Sequence, residues 1–223
     1  MKEKIYNKEI ATAISNFLTD DNWYFGFNEE KGIFRFDLSL KGKLKEISYV
    51  IDVRESEYLV YAIFPINAET DDEKMMTAIA EFICRANYGL KNGNFEFDFR
   101  DGEIRFKIHI PCDGILPSAE IIKDSVYCPG SMFRTYGSGI LSIIFGDANA
   151  KEAVKQCEDS EEHRIRRQQM IEEECDTDTD AMLTRLADRL SLENTDNKPE
   201  DEQEGTEDSE VKTELFGKKG GAA

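Results

Sequence analysis

Residues 94–110 read NFEFDFRDGEIRFKIHI. Phenylalanines alternate with charges, Asp101-Gly102 interrupts, and charges then alternate with Ile and Phe. Period-two alternation is the mark of a half-buried β-strand, and two such runs around Asp-Gly predict a hairpin. With Asp101-Gly102 as a two-residue type I′ turn, Arg100 faces Glu103, Asp98 faces Arg105 and Glu96 faces Lys107. On the other side Phe99 meets Ile104, Phe97 meets Phe106 and Phe95 meets Ile108. Every outward pair is then opposite in charge and every inward pair apolar. A one-residue slip would put every Phe in water. A platform for stacking nucleic-acid bases would surround its aromatics with bases. Here acids cancel them, so the stretch reads as scaffold.

The same alternation extends toward the N-terminus. A helix capped by Asn7 is expected first, with Ile10, Ala13, Ile14, Phe17 and Leu18 on one stripe. WYFGF (23–27), the run around Phe34–Leu40, the run Ile47–Val53 and YLVYAIF (58–64) then predict an antiparallel meander. Thr70-Asp71-Asp72-Glu73 has the form of a capping box with Thr70 as cap. The helix after it places Met75, Ala78, Ile79, Phe82, Ile83 and Ala86 on one face, and Gly89 suits its end.

Downstream of the hairpin, Pro117 suits the first turn of a helix that buries Ile121, Ile122, Ser125 and Val126. Cys128-Pro129-Gly130 is expected to break it. A further helix over 131–145 carries Met132, Phe133, Tyr136, Ile140, Ile143 and Ile144. Gly137 and Gly139 inside it, each costing a helix about 1 kcal/mol relative to Ala, point to close approach of a neighbour. The fold class is therefore α+β, an antiparallel sheet with helices mainly on one face.

Charge divides the chain. Residues 1–146 hold 17 basic against 23 acidic residues, and 147–223 hold 11 against 23, so −12 of the net −18 lies in the last third. That third has one aromatic residue, Phe216. So little apolar surface cannot offset the entropy of ordering, and 147–223 is predicted to be a mostly disordered acidic tail. Within it residues 150–174 allow a helix, with charges of both signs and few apolar residues, and TDAMLTRLADRLSL (179–192) predicts a short helix at 180–191, with Met182, Leu183, Leu186 and Leu190 on a narrow stripe. The acidic balance argues against nucleic acid and against anionic membrane as partners.

Five cysteines occur, an odd number without C-x-x-C, and two histidines, so free thiols in a reducing cytoplasm are expected and neither metal nor cofactor is. The start MKEKIYNKEI lacks the apolar core of a signal peptide, and ILSIIF (140–145) is too short to span a bilayer. No phosphate-loop, dinucleotide, zinc-protease or nucleophile-elbow motif appears. Cys112, Cys128 and His109 are the remaining nucleophile and base candidates, with no local partner to activate a thiol. No catalytic residue is assigned.

The stretches ANYGLKNGNFEFDFRDGEIRFKIHI (86–110) and MFRTYGSGILSIIFG (132–146) resemble the bacterial YbjN family, described as sensory transduction regulator-like. The order of elements is similar to the type III secretion chaperone fold. The resemblance covers about residues 5–146, and its motifs are structural, so no site residue comes with it. It implies a non-enzymatic, protein-binding regulator or chaperone-like module over residues 1–146, acting on a protein client or regulatory partner and pairing as a homodimer. Val50, Leu59, Tyr61 and Ile63 make the third and fourth strands apolar on both sides, which predicts a covered second face. The cover would be the helix at 180–191, a second subunit or a client. Two alternatives stand beside this: an enzyme with a dispersed Cys/His site, and a scaffold whose acidic tail binds a basic partner.

Overall fold

Asn7 opens the first helix as its sequence position predicts. Its side-chain oxygen accepts hydrogen bonds from the backbone N–H groups of Glu9 (2.9 Å) and Ile10 (3.2 Å), two donors without a partner inside the helix. Helix α1 (Lys8–Asp20) buries Ile10, Ala11, Ile14 and Leu18. The computed structural model describes residues 5–40, 44–146, 148–162 and 165. Of the tail expected over 147–223, residues 148–162 and 165 are described and the rest, with the helix expected at 180–191, lies outside the described residues.

Strands β1 (Gly26–Asn28), β2 (Ile33–Ser39), β3 (Glu46–Val53) and β4 (Glu57–Ile63) form the meander. Helix α2 (Glu73–Asn87) follows, then β5 (Asn94–Phe97), β6 (Ile104–Pro111) and α3 (Ala119–Ile144). All strand pairs are antiparallel, and the sheet order is β1-β2-β3-β4-β6-β5. The hairpin thus joins the meander through its second strand, against β4. One face of the sheet carries Phe34, Phe36, Ile47, Tyr49, Ile51, Tyr58, Val60, Ala62, Phe95, Ile104, Phe106 and Ile108, all buried. The buried stripes of α1, α2 and α3 join that face in one apolar cluster. The class predicted from the alternation, α+β with helices on one face, is the one found.

The hairpin differs in its turn. The pairs are Phe97 with Ile104, Glu96 with Arg105, Phe95 with Phe106 and Asn94 with Lys107, two residues away from the expected register. An even shift keeps every side chain on its face, so the Phe face stays inward. Asp101 does not take the positive φ that a type I′ turn requires, whereas Gly102 does (φ 73°). Asp98 leaves the strand instead. Its carboxylate accepts the Arg100 N–H at 2.9 Å, and the Gly102 N–H reaches the Asp98 carbonyl at 2.8 Å. Ala68 donates to the Gly102 carbonyl (2.9 Å), and a side chain at 102 would strike the Ala68 backbone. This tertiary contact and the Asp98 turn outweigh the Asp-Gly preference. The expected Phe99–Ile104 and Arg100–Glu103 pairs do not form, and Phe99 is 62% exposed.

Two helix boundaries also move. Asp72 rather than Thr70 caps α2, accepting the Met75 N–H at 2.9 Å. Helix α3 runs unbroken through Pro129, so the expected break at 128–130 is absent. Proline removes a helical donor there. The Tyr49 hydroxyl, from β3, packs against this point, donating to the Val126 carbonyl at 2.9 Å and hydrogen-bonding the Gly130 backbone. A neighbouring pair, Tyr58 and Ser125, lies 3.1 Å apart, and Ser125 also donates to the Ile122 carbonyl. Two sheet tyrosines thus anchor α3 next to its proline. Pro117 stands just before the cap, Ser118, and Ile121 is 45% exposed rather than buried.

The neighbours expected at Gly137 and Gly139 belong to the chain itself. A side-chain carbon at Gly137 would meet Leu44 at 3.0 Å, and one at Gly139 would meet Phe82 at 2.6 Å and the Cys157 sulfur at 2.8 Å. Cys157 belongs to a further helix, α4 (150–162), opened by Asn149, whose side chain accepts the Lys151 N–H at 3.0 Å. Ala150, Ala153, Val154 and Cys157 of α4 are buried. The compact unit therefore extends to Glu162, past the boundary expected at 146.

Candidate protein-binding face

Among the described residues, the buried stripes of the helices join one face of the sheet and leave the second without a helix. Strand register fixes what lies on it. One row reads Ile33, Asp52, Leu59, His109; the next reads Arg35, Val50, Tyr61, Lys107, Asn94; the third reads Asp37, Ser48, Ile63, Arg105, Glu96. Val50, Leu59, Tyr61 and Ile63 are thus brought together as a strip on β3 and β4, with charges on both sides. Of the residues expected to bind a partner, these four are gathered. Met182, Leu183, Leu186 and Leu190 lie outside the described residues.

Within these three rows the formal charges balance in number. Arg35, Lys107 and Arg105 in the three rows are matched by Asp52, Asp37 and Glu96. Glu96 accepts from the Arg105 guanidinium at 2.8 Å and pairs with Lys107. Partial burial would raise its pKa, but the hydrogen bonds from Lys107 and Arg105 outweigh it and hold the carboxyl below its ordinary value. Arg105 also lies over the Tyr61 ring, 4.6 Å from its centroid. At the end of the strip His109 Nε2 and Glu57 Oε2 are 2.8 Å apart. That bond is the largest reason that Glu57 ionises more readily than an ordinary glutamate; burial opposes it and Arg54 supports it. Asp37 accepts the Ser48 hydroxyl at 2.7 Å.

Leu59 is only 7% exposed, on the face away from the buried stripes of α1, α2 and α3. Val50, Tyr61 and Ile63 remain half-buried. Sequence reasoning missed the Arg105–Tyr61 and His109–Glu57 contacts, because both cross from β4 to β6, strands not adjacent in the chain. Their signal was the outward phase of Arg105 and His109, which the hairpin register already held.

A sheet edge is a second route to a partner, and at β5 it is occupied. Phe95 donates to the Asn87 side-chain oxygen at 2.7 Å, and the Asn87 amide donates to the Phe95 carbonyl at 3.0 Å. A side chain from the end of α2 thus takes the place of a neighbouring strand.

The nucleophile candidates are dispersed. Cys112 is buried with the apolar cluster, whereas His109 projects from the open face. Burial, with Asp113 nearby, raises the Cys112 thiol above its ordinary pKa, and burial with Asp124 does the same for Cys128. Raised thiols are poorer nucleophiles at neutral pH. Cys128 lines an open hollow with Asn92, Asp124, Tyr127 and Ser131, without His109. Cys84, Cys112, Cys128 and Cys157 are unpaired thiols. Among the described residues, no cluster of His, Cys, Asp and Glu could hold a metal ion, and no helix is long and apolar enough to cross a membrane. Comparison with protein-family models, curated proteins and solved structures found no match.

Proposed function

We propose that this protein is a non-enzymatic, protein-binding module of regulatory or chaperone-like type, which uses the open face of its sheet and pairs there with a second copy of itself. One observation carries this reading. The strip of Val50, Leu59, Tyr61 and Ile63 lies in a mosaic whose cations and carboxylates balance. A chain of net charge −18 repels its own copy in general, but at this face the repulsion is locally cancelled. Antiparallel sheets with one helix-covered face commonly present the other to water or to a partner. The closed β5 edge favours the face over strand addition on that side.

The order of elements, a helix, four strands, a helix, a hairpin and a helix, supports the resemblance to the YbjN family and to the type III secretion chaperone fold. Four unpaired thiols suit the reducing cytoplasm as its place of action.

Photo-cross-linking in cells tests this. A photoreactive residue at position 61 or 63 is expected to give discrete protein adducts, including a dimer of the chain. The same residue at exposed Lys123 on α3 is expected to give none. Equal adducts from both positions, or none from the sheet face, would overturn the proposal.

A further inference from the structure

The sheet edge at β1 is not closed as the β5 edge is. Strand β1 covers only residues 33–35 of β2, which runs on to Ser39. The cause lies upstream. The Trp23 backbone N–H donates to the Leu18 carbonyl at 2.7 Å, and its ring N–H donates to the Asp21 carboxylate at 2.7 Å. The Tyr127 hydroxyl of α3 donates to the same carboxylate oxygen at 2.6 Å, and the Trp23 ring packs on Phe36 and Tyr127. Trp23 is thereby tied to the helix layer, and the strand expected over 23–27 begins only at Gly26. Register shows what this leaves unpaired. Leu40 donates to the Lys45 carbonyl (2.7 Å) and Val53 to the Gly32 carbonyl (2.9 Å). Even-numbered residues of β2 therefore bond toward β3, and odd-numbered ones point away from it. Ile33 and Arg35 meet Asn28 and Gly26 of β1. Asp37 and Ser39 meet no strand, and on that side their backbone N–H and C=O groups bond to none of the described residues. Leu38 between them is half-buried, and Tyr24, two residues before β1, is 92% exposed.

We propose that this stretch of β2 takes an extended segment of another protein as an added strand. The N–H and C=O groups of Asp37 and Ser39 fix its register, as main-chain bonds do wherever a peptide extends a sheet. Side chains alternate across a strand, so the segment sets an apolar residue opposite Leu38 on the helix side and polar residues opposite Asp37 and Ser39. A second copy of this chain is a poor occupant. Offering the same edge, it would bring its own Asp37 beside the first, between chains of net charge −18. The inference is independent of the sheet-face proposal, and either can fail alone.

Fluorescence anisotropy with a labelled peptide that alternates Val and Thr tests it on the full chain, beside the same peptide N-methylated on alternate residues of its bonding edge. The plain peptide is expected to bind, and the N-methylated one to bind at least about tenfold more weakly. Ser39→Pro removes an outward N–H while sparing the ladder to β3, and is expected to weaken the plain peptide about fivefold. Tyr61→Glu, on the open face, is expected to leave it unchanged. Amide hydrogen exchange locates the contact: adding the peptide is expected to slow Asp37 and Ser39. No binding, equal binding of both peptides, or slowing only elsewhere would overturn the assignment. Slow exchange at Asp37 and Ser39 in the dilute free chain would overturn it too, by showing the edge already held within one chain. Slowing that follows chain concentration alone would make a second copy the occupant, and would overturn it likewise.

Discussion

The two faces of one sheet are built from residues a single position apart, yet they obey different rules. On the helix side Tyr49, Tyr58, Val60 and Phe106 are almost entirely removed from water. On the open side Val50, Tyr61 and Lys107, their chain neighbours, are half-buried, and Leu59 lies between Tyr58 and Val60. The first face is fixed by packing, where a lost methylene leaves a cavity. The second is fixed by pairing of charges around a narrow apolar strip, where each contact is small. The contrast teaches that packing energy resides on one side of the strands, which leaves the other side for the proposed partner.

Substitutions on the two faces give the largest expected difference. Phe106→Ala removes a wholly buried ring on the helix side and is expected to cost about 3–5 kcal/mol in urea unfolding. Tyr61→Ala, on the open side of the adjacent strand, is expected to cost about 1 kcal/mol, the scale of a cross-strand pair. Similar costs at both sites would abolish the distinction. Gly139→Ala sharpens the account of the helix layer. Its new carbon would meet Phe82 and Cys157 at 2.6 and 2.8 Å, so overpacking of about 1–3 kcal/mol is expected, measured as a lower urea midpoint. An unchanged midpoint would mean that α4 yields freely.

Tyr49→Phe removes the hydroxyl that donates to the buried Val126 carbonyl beside Pro129. A loss of about 1–2 kcal/mol is expected, with faster hydrogen exchange in the middle of α3. The smallest effect is on the open face. The Glu96 carboxyl titrates below its ordinary value in the folded protein, so its contribution is present above the ordinary carboxylate pKa of about 4.3 and is lost as pH falls through the folded value. Glu96→Gln is expected to flatten the acid limb of stability by less than about 1 kcal/mol, since the pair is partly solvated. A larger effect would make the open face a stabilising one after all.

Much of this was readable from residue order. Alternation placed β2 to β6 and the inward Phe face, the first strand formed at Gly26–Asn28 rather than over 23–27, and Asn7 and Gly89 marked helix ends found at those positions. What escaped was long-range. The turn at 98–103 packs on Ala68, thirty-odd residues upstream, and α3 beside Pro129 receives a tyrosine hydroxyl from β3. Neither contact leaves a local trace. The helical character of 150–174 was legible but the packing of α4 was not, because its stripe of Ala150, Ala153, Val154 and Cys157 is made of small residues in a charged stretch, a weak signal beside Leu and Phe. At the candidate face the strip was legible, because Val50, Leu59, Tyr61 and Ile63 broke the expected polar phase. The salt-bridged frame around it needed the β4–β6 pairing, which no turn connects.

Light scattering of the full chain across a range of concentrations, beside Tyr61→Glu, tests the central claim most directly. The account predicts a concentration-dependent dimer for the natural chain and a folded monomer for the variant. A natural chain that stays monomeric throughout, or a dimer indifferent to Tyr61→Glu, would contradict it.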